Sequence, residues 1–240
     1  MKLLVLYVFH IYNERVNHFL KECIYEDDNV DFIIISNSNT RFEAPSYVKT
    51  LYRDNIGYDF GGWSDALLID NLYEKYDTFI FANSSIMGPY LSSDYKGKWT
   101  DVYVNGLQGN IKLFGSTINT CGVPLVKSHV QSYIFSMDKN TLNYLIGCGI
   151  FSRKNYVETF YEAIWQREVL MSRKIIENNW NIGSLLPYYK NVDFTFSNKK
   201  PEEYGMTFLD DVMYPHFRNV IWNEYELVFI KGNRVKIGPL

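Results

Sequence analysis

From Leu3 to Phe9 every position is apolar, a run of strand length of the kind found where helices cover both faces of a parallel sheet. At Glu14 the pattern changes to helical spacing, carried to Tyr25 by Val16, Phe19, Leu20 and Cys23. Asp31 to Ile35 is a second buried strand, ended by the turn-rich Ser36-Asn37-Ser38-Asn39-Thr40, and Val48 to Tyr52 is a short third. A glycine-containing stretch follows, after which Trp63 to Tyr76 predicts a helix. Thr78 to Ala82 is a fourth strand, closed by Asn83-Ser84-Ser85. Alternation of this kind predicts an α/β fold whose mainly parallel central sheet has helices on both faces.

The second half is less regular. Residues 90–120, rich in Gly, Asn, Ser and Tyr, predict loops with short strands. Ser132 to Met137 reads as a strand and Lys139 to Ile146 as a helix. Tyr156 to Asn178 is the longest helical pattern, with Phe160, Ile164, Leu170 and Ile175 near one face. Val220 to Lys236 predicts a helix and then a short strand. No linker or composition break divides the chain, so 1–240 reads as a single domain.

Composition narrows the partners. The 240 residues carry a net charge of −3 with no block of like charges, which excludes the basic footprint that neutralises nucleic-acid phosphates. Cys23, Cys121 and Cys148 lack C-x-x-C spacing, so neither a disulfide framework nor a zinc site is implied, and a reducing, cytoplasmic setting is expected. The apolar N-terminus runs into His10 and a polar segment without a small-residue cleavage site, unlike a signal peptide. No run reaches the ~18 apolar residues of a transmembrane helix, which leaves a soluble protein with peripheral membrane association open. Aromatic residues make up 17%; an aromatic core explains this, and stacking on sugar faces is compatible with it.

In open α/β sheets, ligands bind beyond the carboxyl ends of the strands. Polar side chains leave those ends in the loops His10-Ile11-Tyr12-Asn13, Arg53 to Gly62 and Asn83-Ser84-Ser85, and these are expected to converge on one crevice. No glycine follows the first strand and no G-x-x-x-x-G-K-[ST] occurs, which excludes the dinucleotide fingerprint and the P-loop. In the second loop, Gly57, Gly61 and Gly62 permit close backbone approach. Arg53 can pair with a phosphate, and Asn55 and Asp59 can take hydroxyls; the alternative is a turn in which Asp59 caps the helix and pairs with Arg53. The neutral oxygens of Asn83, Ser84 and Ser85 are poor sole ligands for a hard divalent cation. His129 and Gln131 stand just before a strand, where His129 is either an acid-base group or a structural histidine. Glu168, on the long helix, can deprotonate a hydroxyl if it reaches the crevice. His216, in Tyr214-Pro215-His216, is a candidate metal or phosphate contact.

RDNIGYDFGGW (53–63), FIFANSSIMGP (79–89), SHVQSYIF (128–135), REVLMSRKIIENNW (167–180) and IWNEYELVFIKGNRVK (221–236) together resemble, in order and spacing, the rhamnan-synthesis-protein-F-like glycosyltransferases of polysaccharide assembly. The resembling segments run from about residue 5 to about 236. The resemblance implies a GT-A fold and transfer of a sugar from a nucleotide-diphosphate donor to a growing glycan. Residues 1–90 then form the donor half and 91–240 the acceptor side. It implies a donor site of Asn55, Gly57 and Asp59, with Asn83, Ser84 and Ser85 near the diphosphate. His10, Tyr12, Asn13, Arg53 and Gly62 join them as donor contacts, and Gln131 and Trp63 face the acceptor. His129 and Glu168 become the expected catalytic pair and His216 the candidate metal ligand. Asn83-Ser84-Ser85 departs from the family's Asn-Asp-Ser form, so a D-x-D site for Mn or Mg is missing. That departure keeps open a non-catalytic sugar- or nucleotide-binding module. A glycoside hydrolase needs two carboxylates across a cleft, and no convincing pair shows in the sequence.

Overall fold

A computed structural model describes residues 1–120, 128–208, 216–217 and 220–234. Its centre is a seven-stranded sheet of β1 (Leu3–Phe9), β2 (Val30–Ser36), β3 (Lys49–Tyr52), β4 (Thr78–Asn83), β5 (Ile111–Gly115), β6 (Ile134–Asp138) and β7 (Asn181–Ser184). Their order is β7-β5-β6-β4-β1-β2-β3. β6 is antiparallel to β4 and β5, and the remaining pairs are parallel.

The apolar runs are explained by burial on two faces. In β1, Leu4, Leu6 and Val8 join one core, and Leu3, Val5, Tyr7 and Phe9 join the other; period-two alternation sends successive side chains to opposite faces. The first core is shared with α2 (Tyr58–Leu68), α4 (Lys139–Gly147) and α6 (Leu170–Glu177). The second is shared with α1 (Glu14–Glu22) and α3 (Trp99–Asn105). The rings of Tyr7 and Phe19 stack with centroids 3.8 Å apart, tying α1 to β1.

Several elements differ from the sequence expectation. The helix predicted over Trp63–Tyr76 starts earlier, at Tyr58, because Gly57 sits in the left-handed region at φ 74° and turns the chain into it. It also stops earlier, at Leu68. Asp70 and Asn71 then adopt positive φ inside a 3₁₀ segment, Ile69–Lys75, as Asp and Asn tolerate better than most residues. The stretch 90–120 contains a helix and a central strand, α3 and β5, where loops with short strands were expected. β7 was not anticipated. The long helix is broken into α5 (Phe160–Ala163), a π-helical segment Ile164–Val169, and α6. The tail holds short strands Val220–Ile221 and Ile230–Lys231 around a one-turn helix, Glu224–Leu227. Among the described residues, no helix is long and apolar enough to cross a membrane.

Candidate functional site

The floor of the site is made where β4 ends and α2 begins. Asp59 stands in the first turn of α2, where the helix dipole favours a carboxylate. Asn83 ends β4, and its Nδ2 donates to Asp59 Oδ2 at 2.9 Å while its Oδ1 accepts from the Ser85 backbone at 2.9 Å. Gly57 and Tyr58 are both left-handed, at φ 74° and 56°. A bulky residue at positive φ stores roughly 1–3 kcal/mol and marks a place where the surroundings over-determine the backbone. Here the excursion puts Tyr58 into the cleft wall beside Asp59.

The opposite wall comes from the π-helical segment. Its extra residue per turn re-aims side chains, and such segments recur at functional sites. Glu168 Oε2 accepts from the Ser132 backbone at 3.1 Å and from the Ser132 hydroxyl. Its Oε1 lies 3.3 Å from His129 Nε2. His129 and Gln131 are buried, and Gln131 Oε1 accepts from Thr117 Oγ1 at 2.7 Å. The third wall is the tail. Lys231 pairs with Ile86 in a short antiparallel ladder, and the Gly232 N–H donates to Ser85 O at 2.7 Å. Asp59, Asn83, Ser85, His129, Gln131, Glu168 and Lys231 thus line one cavity of about 320 Å³.

The environment drives the two carboxyls apart. Burial pushes Asp59 up to about 6 against the hydrogen bond from Asn83; Glu168 raises it further, while Lys231 and His10 pull it down. Burial also opposes ionisation of Glu168, but His129 and Ser132 outweigh it, with help from Lys231, and hold that carboxyl down to about 2. A carboxylate pair facing one cleft, which the sequence did not reveal, is therefore present.

Other expected site residues are held elsewhere. Arg53 is spent inside the protein: its Nε, Nη1 and Nη2 donate to Asp65 Oδ2 at 2.7 Å, Asn37 Oδ1 at 2.8 Å and Ile56 O at 2.7 Å. The alternative in which Arg53 pairs with Asp59 is not what is seen. Trp63, expected at the acceptor, is fully buried against Phe60, Phe81 and Phe135, so it has no face to offer a ligand. Gly62 lies against the sheet, where a Cβ would come within 2.9 Å of Val8 and Asn37; its role is packing. Asn13 caps α1, its Oδ1 accepting from the Arg15 and Val16 backbones. His10 Nδ1 lies 3.2 Å from Asn37 O, and Tyr12 packs edge-on to Phe9; both are exposed beside the cleft rather than in its lining. The Ser84 backbone is tied to β1 and α1: its N–H donates to Val8 O, and its carbonyl accepts from Arg15 Nε at 2.9 Å. Asn55 and Gly57 line a neighbouring depression with Tyr58, Lys154, Tyr156 and Glu158. His216 lies in a two-residue strand, His216–Phe217, and its side chain falls outside the described residues, as does Cys121.

Ser132 and Lys231 were missed from sequence. Ser132 lies inside a resembling segment, between Gln131 and Tyr133, and Lys231 inside another, but no local spacing marks either as a cleft residue. A divalent cation takes six or more oxygen ligands as Ca²⁺ or octahedral oxygens as Mg²⁺. Among the described residues, no group of three or more His, Cys, Asp or Glu side chains converges to hold a metal ion. Glu168 has both oxygens engaged and Lys231 shares the cavity, so the described side chains by themselves do not supply the ligand set of such a cation.

Two Vibrio anguillarum proteins, each described as virulence protein VirA, are 31% identical to the chain over 105 residues, covering 42% of this chain and 30% of the relative. The chain thus spans under a third of the curated relatives it matches. The family model for rhamnan synthesis protein F matches residues 32–217, a span that runs from within β2 past β7 and holds every cleft residue named above except Lys231. The chain belongs to the rhamnan synthesis protein F family, a family of polysaccharide synthesis.

Proposed function

We propose that the protein is a glycosyltransferase of GT-A type, moving a sugar from a nucleotide-diphosphate donor to a hydroxyl of a glycan. The observation that carries this reading is the Asp59–Asn83 floor facing the Glu168–His129 pair at the carboxyl ends of β1 and β4. The family and the strand order, with one antiparallel strand beside β4, support it.

In this reading the acceptor hydroxyl attacks the anomeric carbon as the bond to the diphosphate breaks, and the acceptor's proton passes to a carboxylate. A general base works best with a pKa near the working pH. Asp59, at about 6, suits this better than Glu168, whose oxygens are engaged and whose carboxyl stays ionised. The geometry favours Asp59 as proton acceptor and Glu168 as the group that positions His129 and Ser132, the reverse of the sequence expectation. Lys231 meets the leaving diphosphate's charge, as fixed cations do in other transfer sites.

The test is turnover across UDP-, GDP-, dTDP- and CMP-sugars, with and without Mn²⁺ and with oligosaccharide acceptors. The expected result is transfer from one donor class, at least 100-fold lower in Asp59→Asn. Binding of a donor without turnover under any condition favours the non-catalytic module and overturns the proposal. A second reading, glycoside hydrolysis, is favoured by the split carboxyls; release of sugar from oligosaccharides without any donor would establish it instead.

A further inference from the structure

Phe160 and Trp165 border the cleft, with Tyr161 packed beside Trp165, and none of the three contributes to either main core. Phe160 and Tyr161, at the start of α5, are each 68% exposed. Trp165 lies one turn on, and its ring is 5.9 Å from that of Tyr161. Phe160 also meets Tyr58 edge-on at 6.3 Å. Phe160, Trp165 and Tyr58 line the carboxylate cavity. Tyr58 belongs as well to the neighbouring depression of about 550 Å³, which presents the amide of Asn55, the ammonium of Lys154 and the carboxylate of Glu158. The rings therefore form a ridge between two polar hollows.

The ridge is built to stay in place. Thr159 and Glu162 exchange capping hydrogen bonds at 3.0 and 3.1 Å, fixing the first turn from which Phe160 and Tyr161 project. Leaving large rings in water forfeits roughly 1.5–3 kcal/mol per side chain relative to burial, so a fixed, exposed aromatic ridge beside a polar cleft points to an occupant. Its chemistry must offer apolar faces to the rings and hydroxyls to Asn55, Lys154 and Glu158 at once. Pyranose rings have both. An anionic lipid surface is disfavoured, because the flanking charges are mixed: Glu158 and Glu162 lie between Lys154 and Arg167, where membrane binding calls for clustered Lys and Arg.

We propose that this ridge is the acceptor platform, on which a glycan of at least two sugar units lies across Tyr58 and Phe160. Its terminal sugar sits in the carboxylate cavity and its next sugar in the hollow of Asn55, Lys154 and Glu158. The proposal deepens the glycosyltransferase reading and rests on it only for the name of the occupant as acceptor.

The test uses rhamnose and rhamnose-containing di- and trisaccharides as probes, with binding read by Trp165-dependent fluorescence and calorimetry on the full chain. Affinity is expected to rise at least tenfold from mono- to disaccharide and to fall at least tenfold in Phe160→Ala for the disaccharide, while Phe160→Trp retains it. Circular dichroism and melting temperature establish that each variant is folded. Equal affinity for mono- and disaccharide, or unchanged disaccharide binding in folded Phe160→Ala, overturns the platform. So does ring-dependent binding to phosphatidylglycerol vesicles by a protein that binds none of the sugars. Ring-dependent glycan binding with no transfer from any donor sinks the transferase reading and leaves the platform standing; transfer that is indifferent to acceptor length does the reverse.

Discussion

Asn83 Nδ2 donates to Asp59 Oδ2 at 2.9 Å, so the amide that ends β4 holds the carboxylate in the first turn of α2. Asn83 in turn is fixed by the backbones of Tyr133 and Ser85. The amide thereby fixes the position of Asp59 and partly offsets the rise in proton affinity that burial imposes on it.

Asp59→Asn is expected to lose transfer while gaining stability at pH 8. Burial holds the folded carboxyl at about 6, above the 3.8 of a solvated aspartate, so the native state binds more protons than the unfolded chain between those values, and stability falls as pH rises through that window. Removing the charge recovers about 1–3 kcal/mol above pH 6. Melting temperature against pH for both proteins measures it; equal curves at pH 8 would show that burying the Asp59 charge costs no stability.

Glu168→Gln has the opposite sign. Its folded carboxyl is held at about 2, below the 4.5 of a solvated glutamate, so its contribution is present above pH 4.5 and disappears as pH falls toward 2. A loss of roughly 2–3 kcal/mol at pH 7 is expected, since Ser132 and His129 lose a charged partner. Urea unfolding at pH 7 and pH 3 checks that the deficit shrinks in acid.

Arg53→Lys is not a conservative change here. A single ammonium cannot reproduce the fork that reaches Asp65, Asn37 and Ile56 together. We expect a loss of about 2–4 kcal/mol by denaturant unfolding, with weaker donor binding following from the displaced loop. Normal stability with lost donor binding would return Arg53 to direct ligand contact.

Gly61→Ala tests how tightly α2 is seated. A Cβ there would lie 2.0 Å from Ile56 O, within the loop that Arg53 holds. Backbone cannot yield as a flexible side chain does, so destabilisation of about 2 kcal/mol or more is expected. A change under half a kilocalorie would mean that the loop relaxes.

Lys231→Met should move the acid limb of the pH–rate profile upward, because Lys231 lowers both Asp59 and Glu168, and should weaken donor binding. An unchanged limb would remove Lys231 from the site.

The strands β1, β2 and β4 were legible because burial on both faces demands continuous apolar runs, and nothing but those runs is needed to recognise them. α3, β5 and β7 were not. β5 mixes Ile111 and Leu113 with Lys112 and is only five residues long, and its burial depends on lying beside β6, a neighbour that only the folded sheet supplies. The Gly57–Gly62 loop was visible from its glycines, yet the same composition fits a ligand loop and a tightly packed helix start. Gly62 and Trp63 went to packing and Arg53 to holding the loop, while Asp59 alone of the loop's charged groups faces the cleft.

The sequence by itself determined the α/β class, the family and the segments from which the site is built, because these rest on local pattern and on the order of motifs. Tertiary structure alone decided which side chains share the cleft. Glu168 meets Ser132 from 36 positions away, and a π-helical segment with no sequence signature turns it there; Lys231 arrives through a two-residue ladder. Proton affinities follow from such contacts: burial raises Asp59, and donors on the opposite wall lower Glu168. Two carboxyl groups of nearly equal intrinsic acidity acquire different chemistry only after the chain has folded around them.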